Sequence, residues 1–188
     1  MAQIASDRLD KIADPEKAIK RGTDYYKAKG YTDAWINQRL QGIEIRKELT
    51  DEWRSRGIES TKDYAILTDE MTFAWADMTI KQYKSLKGLK KENLRDNMTN
   101  LELTLNQLAE VTTTLLSRKL NPKTFVDSKQ VAITGGGVAK NARTDIENKL
   151  GEKVISPLNA KTKHLLEIDT GGDEFVIPSG GEESLPTQ

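Results

Sequence analysis

The feature that most limits what this chain can become is a run of apolar residues at helical spacing in its middle. Leu94, Met98, Leu101, Leu105, Leu108, Thr112 and Leu115 follow one another at steps of +4, +3, +4, +3, +4 and +3. That alternation keeps one stripe of an α-helix apolar and repeats as a heptad. Thr112 is its single polar position. A stripe of about three heptads can be the central helix of a bundle, or it can cross to a second copy of the chain. Both readings require a long helix, which the pattern places at about Asp96 to Lys119.

The flanking segments carry helix starts and stops. Asp14-Pro15-Glu16 places a capping residue, a proline at the first helical position and an acid in the first turn. Thr32-Asp33 opens a second helix that Arg56-Gly57 closes, with apolar stripes Ile36, Leu40, Ile43 and Ile45, Leu49, Trp53. Shorter helices are expected from Ser60, from Thr68-Asp69-Glu70 and from the capping box Thr79-Ile80-Lys81-Gln82. Asn121-Pro122 breaks the chain after the central helix. A further helix is expected to follow Gly135-Gly136-Gly137 and to end at Gly151, and Ser156-Pro157 to cap a last one. Trp35, Trp53 and Trp75 fall in helical segments and are expected to anchor the core. The fold class is therefore all-α: a multi-helix bundle over 14–167, after a junction segment, 1–13. Residues 168–188 hold Asp169, Asp173, Glu174, Glu182 and Glu183, glycines and prolines, and no Lys or Arg. They read as a flexible acidic tail.

Charge and composition exclude more than they assign. At 188 residues the chain is long enough for one domain with a sizeable core. Its Lys+Arg count of 29 equals its Asp+Glu count of 29, so bulk charge cannot hold it to nucleic acid. There is no cysteine, hence no disulfide framework and no thiolate site. The start of the chain lacks an apolar core of signal-peptide length, and no apolar run is long enough to span a membrane. The expected location is cytoplasmic.

Four groups of residues can carry chemistry. His164 is the only histidine, so no histidine metal cluster is possible, and a solvent-facing role is expected for it. Gly135, Gly136, Gly137, Lys140 and Arg143 form a possible phosphate loop at a helix start, although the P-loop and dinucleotide spacings are both missing. A hinge between helices explains the same glycines. Lys81, Lys84, Lys87, Lys90, Lys91 and Arg95 stand against a single acid, Glu92, with Tyr83 among them. This local excess in a neutral protein suits phosphate or an acidic partner. Lysines at steps of +3 drift around a helix, so they make a fan and not a stripe, which Gly88 interrupts. The fourth group is the seam itself: Leu94, Met98, Leu101, Leu105, Leu108 and Leu115 can serve self-association.

From about Gly30 to Lys161 the chain resembles a bacterial and phage family, the DNA-damage-inducible protein D and phage antirepressors that carry an N-terminal Bro-type domain. The segments that carry the likeness are Tyr31 to Arg56, Tyr64 to Trp75, Tyr83 to Thr114, and Gly135 through Asn159. The early segment from Ser6 to Ile19 is similar to the junction that follows the Bro-type domain. That domain, a mixed α/β module thought to bind DNA, precedes this region in the family. The sequence here begins almost at the junction, so DNA binding by that module is not carried over. The resemblance implies a regulatory role in the DNA-damage response or in phage–host control, with DNA or a recombinase-type repair protein as partner. It supplies no catalytic residue. The combined expectation is a non-enzymatic interaction module without a cofactor, or alternatively a homo-oligomerisation module that pairs N-terminal domains.

Overall fold

A computed structural model describes residues 15–162. Among these residues every regular element is helical. In chain order they are α1 (Pro15–Ala28), α2 (Asp33–Ser55), α3 (Thr61–Ala76), α4 (Ile80–Leu86), a 3-10 turn (Arg95–Asn97), α5 (Asn100–Leu120) and α6 (Phe125–Leu150). A turn of helix also occupies 160–162. The all-α expectation holds. His164 and the acidic tail at 168–188 lie outside the described residues, as does the junction at 1–13.

Side chains set the helix ends. Thr32, Ser60, Thr79, Thr99 and Thr124 are N-caps, each accepting a backbone N–H of the first turn. At Thr79, Thr99 and Thr124 the reciprocal bond from the third helical residue completes a capping box. Asp77 and Asn121 stop α3 and α5 in the left-handed conformation, with φ of 56° and 51°. Four expected boundaries are absent: α6 starts at Phe125 and not after Gly137, the turn at 160–162 follows Asn159, which accepts the Thr162 N–H, and not Ser156, and two more fall in α3 and before α5. Thr68 does not start a helix, because its hydroxyl donates to the carbonyl of Tyr64 within a continuous α3. The central helix begins at Asn100 and not near Asp96, since the Thr99–Glu102 capping box fixes its start.

Helix α6 packs against both α3 and α5, α5 packs against α2, and α1 lies on α2. The three tryptophans are fully buried, Trp35 and Trp53 at 1% and Trp75 at 0% exposure, and share one core with Ile36, Leu49, Leu67 and Met71. At one end of this core Trp35 stacks on Tyr31 at 3.9 Å and meets the edge of Tyr26 at 5.3 Å. This aromatic cluster faces the irregular segment 87–99, which links α4 to α5. Among the described residues no helix is long and apolar enough to cross a membrane.

Candidate functional site

Segment 87–99 has no continuous helix or strand to satisfy its backbone, so side chains do that work. Glu92 accepts the backbone N–H groups of Lys90 and Lys91 at 2.7 and 2.9 Å. Asn93 accepts the N–H of Arg95 at 2.9 Å, and Asn97 donates to the carbonyl of Asn93 at 2.9 Å. The aromatic cluster pins the far end. Trp35 Nε1 donates to the Met98 carbonyl at 2.9 Å, and Asp96 accepts from Arg39 Nε at 2.8 Å and Tyr26 Oη at 3.0 Å. Tyr31 Oη donates to the Asp96 carbonyl. Burial, opposed by Arg39 and reinforced by Asp96, pushes the Tyr26 phenol up to about 12, so it stays a donor at neutral pH.

Held this way, the segment forms one wall of an open cleft of about 350 Å³. Lys84 enters from α4, and Lys91 and Arg95 from the segment. Ile80, Leu94 and Met98 supply an apolar surface between them, while Thr72, Asn93 and Asn106 add polar groups. No carboxylate lines it. Behind the wall, Arg95 Nη2 donates to Glu110 Oε1 at 2.6 Å, and Arg46 Nη1 lies 3.8 Å from the same oxygen. Glu110 has no exposed surface. Burial, then the nearby Arg95 cation, pushes Arg46 down to about 10, so its guanidinium remains charged at neutral pH. One buried carboxylate thus faces two arginines, and positive charge is left over on the cleft side.

Of the six basic residues singled out by charge, Lys84, Lys91 and Arg95 meet in this cleft. Lys81 and Lys90 are exposed outside it. Lys87 corrects the expectation of a contacting surface. Its side chain is 1% exposed, and its ammonium lies 2.8 Å from Glu102 Oε2, a carboxylate with no exposure. Lys87 Nζ also donates to the carbonyls of Ser156 and Leu158 at 3.0 and 2.6 Å. Its charge is spent on fixing the segment after α6, where no phosphate can reach it. No protein-family model matches the chain, and neither a curated protein nor a solved structure matches it. The site therefore rests on its own geometry.

The phosphate loop is also corrected. Gly135, Gly136 and Gly137 lie inside α6, where their N–H groups serve the helix and are not free to bind an anion. The hinge reading falls with it, since the helix runs on without a break. Two of the glycines are there because neighbouring backbones come close. A Cβ on Gly135 would lie 2.8 Å from the Thr113 Cα, and one on Gly136 would lie 2.5 Å from the Met71 carbonyl oxygen. Lys140 and Arg143 are committed elsewhere: both pair with Asp77 at the end of α3. The Lys140 hydrogen bond first, and then Arg143, hold the Asp77 carboxyl below its ordinary value. A depressed folded value means stability that is present above the unfolded value, 3.8, and is lost as the pH falls through the folded one. Asp77→Asn is therefore expected to lose less stability than the parent between about pH 5 and pH 2. Urea titrations across that range measure it; parallel curves would leave the pairing without energetic weight.

The heptad seam is only partly a seam. Leu94 and Met98 are buried but precede α5. Leu105 is buried, Leu101, Leu108 and Thr112 are half-buried, and Leu115 is 58% exposed. The face that α5 does bury is largely polar and includes Glu102, Asn106, Glu110, Thr113, Thr114 and Ser117. Glu102, Asn106 and Glu110 follow at +4 steps, a second stripe alongside the leucines. That regular polar spacing is the signal that points to the buried carboxylates and to Asn106. Among the described residues no group of His, Cys, Asp and Glu side chains is arranged to hold a metal ion.

Proposed function

We propose that the chain is a non-enzymatic regulatory or interaction module that contacts DNA, or a recombinase-type repair protein bound to it, through the cleft between α4 and segment 87–99. One observation carries this reading: in a protein with no net charge, Lys84, Lys91 and Arg95 converge on a single cleft that no carboxylate lines. The contrast with a second groove among the described residues supports it. That groove, about 570 Å³ along α2, sets Glu44, Glu48, Asp51 and Glu52 against Lys47 and Arg118, so its balance is acidic where that of the cleft is basic. The resemblance to the DNA-damage-inducible family points the same way.

Fluorescence anisotropy with labelled single- and double-stranded DNA, at about 50 and 200 mM salt, tests the proposal. Binding is expected to weaken steeply with salt. Replacing Lys84 and Lys91 with Ala is expected to lower the log–log salt slope by about one per lysine. Lys81→Ala with Lys90→Ala, outside the cleft, is expected to change it less. An unchanged slope in the Lys84/Lys91 variant rejects the cleft as the contact surface.

The alternative, a homo-oligomerisation module, draws on the outward part of the seam, where Leu115 is 58% exposed. Light scattering decides it, because a monomer at high micromolar concentration is incompatible with that reading.

A further inference from the structure

We infer that the cleft binds a nucleoside phosphate, with the base lodged against Ile80, Leu94 and Met98 and read by the carboxamide of Asn106. This rests on the proposed DNA contact and goes further, from a charged surface to a pocket that holds one nucleotide unit. The central observation is Asn106. It is 3% exposed, it lines the cleft, and its side chain makes no hydrogen bond to any other described residue. Its amide has no protein partner and is open to water in the cleft, so the edge of a ligand can take that water's place. An amide offers a donor and an acceptor side by side, which matches the donor–acceptor edge of a nucleobase.

The surroundings fit the rest of a nucleotide. Three apolar side chains give the base an apolar surface, and Lys84, Lys91 and Arg95 give the phosphate its counter-charge. A volume of about 350 Å³ is at the small end of ligand sites, which run from about 300 to 1,000 Å³. That is room for one nucleotide and too little for two stacked ones. Arg95 is already fixed in place by its 2.6 Å bond to buried Glu110, so its side chain loses little freedom when an anion arrives. The hydrogen bonds of Glu92, Asn93 and Asp96 hold the wall in the same sense.

The nucleotide can come free in solution or as one unit of a single strand with its base turned out. Calorimetry of the full chain with AMP, ribose 5-phosphate and inorganic phosphate is paired with anisotropy of labelled oligo(dA) and an abasic oligomer of the same length. AMP is expected to bind about tenfold or more tightly than ribose 5-phosphate, and oligo(dA) than its abasic counterpart. Asn106→Leu is expected to erase that difference without altering the salt slope. Saturation with AMP is also expected to shift the Asn106 side-chain amide resonances, which needs no variant. Base-dependent binding of AMP alone keeps the pocket and rejects the DNA reading. Binding of both oligomers equally, indifferent to Asn106→Leu, overturns the pocket and leaves the DNA contact standing. Absence of binding to any of these probes overturns both.

Discussion

Replacing Lys87 with Met is expected to cost about 3–5 kcal/mol of stability, the usual loss when one partner of a buried ion pair is removed. The Lys87 and Glu102 side chains are 1% and 0% exposed, so water cannot solvate the carboxylate left behind. The variant also frees the carbonyls of Ser156 and Leu158, which share the ammonium. At about 2–4 °C per kcal/mol for a chain of this size, the melting temperature should fall by about 6–20 °C. Lys90→Met, at an exposed position, should stay within about 0.5 kcal/mol. Combining Lys87→Met with Glu102→Gln separates charge from packing. The amide can still accept the Thr99 N–H that Glu102 now caps at 2.7 Å, but it carries no charge to strand. That double variant should regain much of the loss. If Lys87→Met melts with the parent, the ion pair contributes nothing, and Lys87 returns to the list of surface cations.

The three consecutive glycines of α6 should respond in opposite directions. Gly136→Ala is expected to lose about 1–3 kcal/mol, the range for overpacking a tight contact. Its new methyl would lie 2.5 Å from the Met71 carbonyl oxygen and 2.7 Å from the Ala74 Cβ, on a neighbouring helix that cannot yield like a flexible side chain. Gly135→Ala should behave alike, at 2.8 Å from the Thr113 Cα and nitrogen. Gly137 has nothing within 4 Å, so alanine there should gain up to about 1 kcal/mol of helix propensity. Chemical denaturation of the three single variants gives the signs directly. Three gains would mean that α6 stands further from α3 and α5 than these distances require.

Much of this fold is legible from local chemistry alone. Thr32, Ser60 and Thr79 announce helix starts, and Gly30, Gly57 and Gly151 announce ends, because capping involves residues next to each other in the chain. Where tertiary packing decides, the sequence reads differently. Gly135-Gly136-Gly137 looks like a loop because glycine is a poor helix former; only the approach of α3 on one side and α5 on the other makes it a helix interior. Leu94 and Met98 keep heptad spacing across the Thr99 cap, so periodicity alone cannot show the break. The basic cleft was half legible. Local charge excess picks out Lys84, Lys91 and Arg95, but it cannot tell them from Lys87, whose partner lies 15 residues on in α5. Asn106 carries no charge and sits between leucines, so only its +4 spacing from Glu102 and Glu110 marks it.

The pins on segment 87–99 also bear on the order in which the molecule assembles. Trp35, Arg39 and Tyr26 reach their partners at Met98 and Asp96 across separations of 63, 57 and 70 residues, and Lys87 reaches Leu158 across 71. The helices themselves are local and can form early, but contacts this distant in the chain carry a loop-closure cost before they stabilise anything. On a ribosome, α1 and α2 must wait for most of α4 and the segment beyond it before their aromatic end has anything to grip. The lining of the cleft falls within residues 72–106, but its wall is pinned only once these remote stretches of chain have come together.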